Sequence, residues 1–448
     1  MGTLRNLGMS LFQCLLLGAT TAALAQSRCN EDDANSPAAQ KAASQLVISD
    51  ADPRAQIQVL VDRALARSQS VGMVKLLAQA ARDDWEEVSQ ANKPRASLDL
   101  QGNQMGSSTD GASNGSGAQG RVAFNLSATL FDFGRNRQLA GWRSQLAEAA
   151  RQGYFSAEQQ LALQTVSLAL DRGRYLLQAQ VYSQYVRRMA CLVDSLETIV
   201  KADKGRASEL VQAQKNLLQA DLAVESTMSA LRQTETRLKR FVGDDLPPSA
   251  SFSNLLTRVP ELDDMQRDAL SAPDVIQLEA QARAQGSYVE SVRANAKPQV
   301  NAIVGTSASA GVTRSRDWAV GFSVNVPLMT PGQDASVNAA SKRAEAARLQ
   351  REDALEARRY RLIDMHESAT SAFDRARRIT EILRNSSQLR TATLQQWQQL
   401  GRRSLFDVMG SESDYYSLRI AHVNALFDGQ QAVAMLWSLG RGVMAPLR

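Results

Sequence analysis

Gln333 to Leu400 contains neither glycine nor proline, the two residues that most often punctuate a helix. Within it Leu355, Leu362, Ala369, Ala376 and Leu383 recur every seven residues. Met365, Ala372 and Ile379 form a second row three positions on. That spacing lines apolar groups along one seam of a helix and does not fit a strand, whose side chains alternate with period two. Unbroken, about 68 residues at ~1.5 Å each span roughly 100 Å. Helices of globular proteins average about 11–12 residues. The rest of the chain must say what so long a helix is for.

The amino terminus is set aside first. Residues 1–25 carry Arg5, an apolar run from Leu11, and a closing Ala23-Leu24-Ala25, the layout of a cleaved secretory signal. The run is too short to span a bilayer, which takes about 20 apolar residues. Residues 26–54 read as a flexible lead-in. Arg28 before Cys29 is not the small residue that a lipid-attachment site wants, which argues against a lipid anchor. Cys14 leaves with the signal. Cys29 and Cys191 remain, too few for a disulfide framework, and a single bond between them is left open. Lys and Arg number 51 against 46 Asp and Glu. Their spread along helices reads as solvated faces, with no nucleic-acid patch.

The remaining chain says one thing twice. A helix over 55–90 ends at Lys93-Pro94, because proline disfavours helix in the residue before it. The period then becomes two. Ala96, Leu98 and Leu100 alternate with polar residues, a Gly/Ser-rich stretch follows, and Val122, Phe124, Leu126, Ala128 and Leu130 alternate again. This is a hairpin over 95–131. A long helix over 136–201 repeats Leu161, Leu168, Tyr175, Tyr182, Met189 and Leu196 every seven residues. The Gly205-Arg206 turn and a helix over 208–242 complete the first repeat, 55–242. An irregular segment, 243–271, separates it from the second, 272–440. There Lys297-Pro298, a hairpin over 299–326 with Trp318, Val320, Phe322, Val324 and Val326 on one face, the helix 333–400, Gly401-Arg402 and a helix 404–440 recur in order. Residues 441–448 are a tail. A period near 200 residues marks an internal duplication.

Four strands with one apolar and one polar face do not close a membrane barrel, which takes about eight or more. Several copies must pool their hairpins. Both long helices start just after a strand ends, so they continue from the barrel. The fold class expected is mostly α with a β-barrel part.

The duplicated layout, Leu130-Phe131-Asp132-Phe133-Gly134 with its counterpart Val326-Pro327-Leu328 … Pro331-Gly332, and the two Gly-Arg turns resemble the TolC-like outer-membrane efflux and secretion channels over about Ala55 to Gly440. The resemblance implies a homotrimer with a twelve-stranded barrel in outer-membrane lipid and a helical periplasmic tunnel. It implies a passive duct, not an enzyme, without cofactor or metal. It also implies a periplasmic adaptor protein docked at the helical turns and an inner-membrane ABC or RND pump. Carried over residue by residue, it makes Arg403, Asp407 and Glu209 gate candidates. Gly205, Arg206, Ser208, Gly401, Arg402 and Ser404 become adaptor-docking candidates. Gly410 and Gln398 depart from the family's second gate acid and gate tyrosine. Three carboxylates on one axis would attract cations and constrict the mouth. The bland alternative for each is a solvated charge at a helix end.

No phosphate-cradling glycine loop, nucleophile elbow or metal-spaced ligand set appears. His366 and His422 lie in separate helices and read as structural. Type I protein secretion is the first expectation and multidrug or metal efflux the second. A periplasmic coiled-coil scaffold is the rival class, which leaves the two hairpins unexplained.

Overall fold

A computed structural model describes residues 51–447 except 110, 111, 253, 313, 401 and 402. The signal reading, residues 1–25, and most of the lead-in lie outside the described residues, as do Cys14, Cys29, Gly401 and Arg402. Cys191 is disulfide-bonded.

The chain folds into two compact units. One holds residues up to Ser68, Gln159–Arg267 and Tyr360 onward. The other holds Gln69–Glu158 and Asp268–Arg359. Each sequence repeat therefore contributes to both units.

In the second unit, strands β1 (Arg95–Thr109), β2 (Ala112–Phe131), β3 (Gln299–Ala310) and β4 (Ser315–Asn325) form one antiparallel sheet in the order β1-β2-β3-β4. The register stacks Leu98, Phe124, Thr306 and Trp318 in one row, and Ala96, Leu126, Val304 and Val320 in the next. The opposite face carries Asp99, Asn125, Ser307 and Asp317, with Asn125 Nδ2 donating to Asp99 Oδ2 at 2.7 Å. Trp318 is 81% and Phe322 74% exposed on the apolar face. β1 and β4 each keep one unpaired edge. In lipid, such edges must be closed by other chains.

The long helices start from matched turns. Before α3 (Arg135–Ala202) the Asp132 carboxylate accepts from Gly134 N at 3.0 Å and Asn136 N at 2.8 Å, satisfying donors that a helix start leaves unpaired. Gly134 has φ 83°, and so has Gly332 ahead of α7 (Gln333–Leu400). That left-handed backbone is one glycine adopts readily. The lysines before the two hairpins also match, Lys93 N donating to Gln90 O and Lys297 N to Ala294 O.

The sequence reading is amended in three places. The first helix is two, α1 (Pro53–Arg67) and α2 (Gln69–Ser89), parted at Ser68, where one compact unit gives way to the other. The segment 243–271 contains a short helix, α5 (Leu262–Ala269), whose first turn carries Asp263 and Asp264, favoured by the helix dipole. The tail is packed through Leu447. Val443 and Leu447 are buried, and Gln58 Nε2 donates to Leu447 O.

The remaining helices are α4 (Ala207–Val242), α6 (Pro273–Ala294) and α8 (Leu405–Leu439). No described helix is long and apolar enough to cross a membrane. In the first unit, segment 243–260 is held by side chains reaching its backbone. Gln56 Nε2 donates to Pro248 O, Arg172 Nη1 to Pro247 O and Gln430 Nε2 to Phe252 O. A loop that lacks ladder partners must satisfy its buried carbonyls this way.

Candidate functional site

The helical turns lie in the first unit. Under them, Met189, Leu192 and Leu196 of α3 pack with Ala213 of α4, Trp397 of α7, and Leu405, Val408 and Met409 of α8. This apolar plug fixes the four helix ends to one another.

Each gate candidate has a local partner. Glu209 accepts from Arg206 Nη2 at 2.7 Å, and the Arg206 guanidinium lies 5.9 Å from the Trp397 ring. Asp407 accepts from Ser404 N at 3.2 Å while its own N–H donates to Ser404 Oγ at 3.2 Å, a reciprocal cap on α8. Arg403 Nε donates to Gln396 Oε1 at 3.2 Å. Among the described residues none of the three pairs with another. Of the docking candidates, Gly205 N donates to Asp203 Oδ1 at 3.0 Å, closing the first turn, and Ser208 is exposed.

Above the plug lies a cluster that sequence reading missed. Glu412 of α8 is 0% exposed. It accepts from Arg188 Nε of α3 at 2.8 Å and from Arg390 Nη1 of α7 at 3.3 Å. Arg390 sits 4.2 Å from the Tyr415 ring, and Tyr185 packs 4.9 Å from Tyr416. Burial raises the Tyr185 pKa, opposed by a hydrogen bond to Ser413. One carboxylate thus ties three helices together. The available signal was its place on the apolar stripe Leu405, Val408, Met409 and Tyr416, where a carboxylate needs a buried partner.

The two histidines share a cavity. His366 of α7 and His422 of α8 line one cavity of about 660 Å³ with Phe373, Asp374 and Arg377. Among the described residues no group of three or more His, Cys, Asp or Glu could hold a metal ion.

The sequence pattern of the family described as outer membrane efflux protein matches residues 60–244. Among solved structures, CusC, reported for conformational changes accompanying folding and transmembrane channel formation, is similar at 17% identity. The match covers 86% of this chain and 92% of that one, with a TM-score of 0.78. The outer membrane protein VceC of Vibrio cholerae matches at 18% identity over 86% of this chain and 96% of its own, with a TM-score of 0.76. The open-state MtrE outer membrane channel of Neisseria gonorrhoeae matches at 16% identity over 88% and 90%, with a TM-score of 0.77. No curated protein matches the sequence. Residues 60–244 thus carry the sequence pattern of outer membrane efflux proteins, and the chain shares the fold of these outer-membrane channels.

Proposed function

We propose that this chain is one subunit of a homotrimeric exit duct. In it, three four-stranded sheets close one twelve-stranded barrel, and the helices prolong the bore into the periplasm. The observation that carries this reading is the open sheet, with one apolar face, one polar face and two unpaired edges. The duct is passive, and an inner-membrane pump of the ABC or RND kind supplies the energy. A periplasmic adaptor docks at the turns, at Gly205, Arg206, Ser208, Gly401, Arg402 and Ser404. The family description favours efflux of small molecules as the cargo. Secretion of a polypeptide by a type I route is the other outcome of the cargo test. Deleting the gene and scoring drug or metal sensitivity against loss of a secreted protein separates the two.

In this reading Arg403, Asp407 and Glu209 ring the periplasmic mouth. Asp407 also caps α8, so Asp407→Ala would confuse gating with folding. Asp407→Asn keeps an acceptor oxygen and removes the charge. The purified protein is expected to run as a detergent-resistant trimer and to conduct in planar bilayers. Asp407→Asn with Arg403→Ala is expected to raise conductance and reduce cation preference. A monomer that never inserts overturns the duct. Unchanged conductance and selectivity in the double variant overturn the gate assignment.

A further inference from the structure

The apolar face of the sheet does not stay apolar to its end. Its rows run from Val300 and Val324 through Trp318 to Leu100, Val122, Ala308 and Arg316, and the next row holds Gly102, Gly120 and Ala310. Arg316 is thus on the face that carries Trp318 and Phe322. Arg314, just before β4, lines the same recess as Arg316, a cavity of about 560 Å³ walled by Leu100 and Val122. Small residues make it. A Cβ built on Gly102 meets nothing within 4 Å.

The chemistry of that end is one-sided. The only strand carboxylates among the described residues, Asp99 and Asp317, belong to the polar face, where they accept from Asn125 and Ser315. Neither Arg314 nor Arg316 has an ion-pair partner among the described residues. Val324 and Arg316 are eight positions apart on β4, about 27 Å along a strand or about 20 Å along the normal of a barrel tilted by ~40°. That is close to the height of a lipid-facing apolar band, about 25 Å. An arginine at the band's edge costs far less than one at its centre. It stands where headgroups stand, one row beyond Trp318, the kind of aromatic that marks such interfaces.

Both long helices leave from the opposite end of the sheet. In the duct reading, on which this inference rests, they point into the periplasm, so the arginine end faces outward. We propose that Arg314 and Arg316 with the Gly102–Gly120 recess form a binding site for a phosphate-bearing glycolipid of the outer leaflet. The guanidiniums hold the phosphate, and the recess takes the sugar or the first part of an acyl chain. Bidentate N–H donors suit phosphate oxygens.

Native mass spectrometry of the purified trimer, titrated with diphosphoryl lipid A, tests it. Wild type is expected to bind diphosphoryl lipid A well above its dephosphorylated form. Arg314→Ala with Arg316→Ala is expected to weaken binding roughly 30-fold, at about 1 kcal/mol per arginine near a charged leaflet. Gly102→Leu, which fills the recess while keeping both charges, is expected to weaken binding as well. Arg95→Ala, at the helix end of β1 and outside the recess, should leave it unchanged. Equal binding by wild type and the double variant overturns the site. So does displacement of the lipid by equimolar inorganic phosphate, which would make it a free-anion site. Conductance of the same samples keeps the two readings apart. Conducting trimers without selective lipid binding sink this inference alone, and a protein that forms no trimer or channel sinks the duct.

Discussion

Helices α3 and α7 have the same length, 68 residues each, and occupy matching places in the duplication, yet they bury different things. α3 buries Leu161, Val166, Leu170, Leu176, Met189 and Leu196. α7 buries chiefly alanines, Ala340, Ala369, Ala372 and Ala376, with Leu362 and Trp397. Several of its larger apolar side chains, among them Tyr360, Ile382 and Leu389, stay exposed. A seven-residue repeat fixes which side of a helix packs and leaves open what packs against it. α3 is a core helix of its own chain. The alanine seam of α7 allows close approach within the chain, and its outward Ile and Leu side chains are worth about 1.5–3 kcal/mol each if another surface covers them. The homotrimer proposed above supplies such a surface.

Glu412 gives the sharpest way to break that contrast, because it binds both helices at once. Glu412→Ala leaves Arg188 and Arg390 with buried guanidiniums stripped of their shared carboxylate, and is expected to destabilise by about 3–5 kcal/mol. If α3 is the core helix and α7 the dependent one, hydrogen exchange in the variant should rise around residues 380–395 more than around 180–195. Equal deprotection of both stretches would mean that the two helices rely on the cluster alike. Chemical denaturation with exchange mass spectrometry reads both quantities.

A smaller effect is expected where glycines seat aromatic rings. A Cβ at Gly173 of α3 would come within 2.8 Å of Phe252 and 3.3 Å of Phe427, both buried. A Cβ at Gly429 of α8 would come within 2.8 Å of Phe373 of α7. Phe373 is only partly buried and can swing aside, whereas Phe252 and Phe427 are enclosed. Gly173→Ala is therefore expected to destabilise by about 1–3 kcal/mol through overpacking, and Gly429→Ala by less, although its contacts are closer. Denaturation midpoints check the order. The reverse order would mean that the α7 side is the more rigid of the two.

These contrasts mark how far the residues speak for themselves. Seven-residue and two-residue periods are local properties, so the long helices, the hairpins and the duplication were legible. Asp132, read only as part of the turn closing a strand, proves to cap α3. The Arg188–Glu412–Arg390 cluster was not legible, because its members are far apart in the chain and each alone resembles an ordinary helix-surface charge. The gate candidates were found by matching a turn. Yet the partner of Asp407, Ser404, was readable from spacing alone, since Ser with an acid three residues on is a capping pair. The packed tail went unread because Val443 and Leu447 are isolated apolar residues with no period to betray them.

The mildest test concerns the cavity between α7 and α8. His366 and His422 line it, with Arg258, Glu261, Asp374 and Arg377 as its other charged groups. Burial lowers the pKa of His422 below its ordinary 6.5. A base whose folded pKa is depressed binds its proton less readily in the folded state than in the unfolded one. Its penalty is absent above the unfolded value and appears as pH falls through 6.5 toward the folded value. The wild-type melting temperature should therefore decline between pH 7 and pH 5, and His422→Gln, which cannot take up that proton, should decline less. Carboxylates remote from the cavity contribute alike to both curves, so the difference between them reports on the histidine and the groups that face it. Parallel curves would mean that His422 gains solvent or a carboxylate partner in the assembled protein, so that folding no longer penalises its proton.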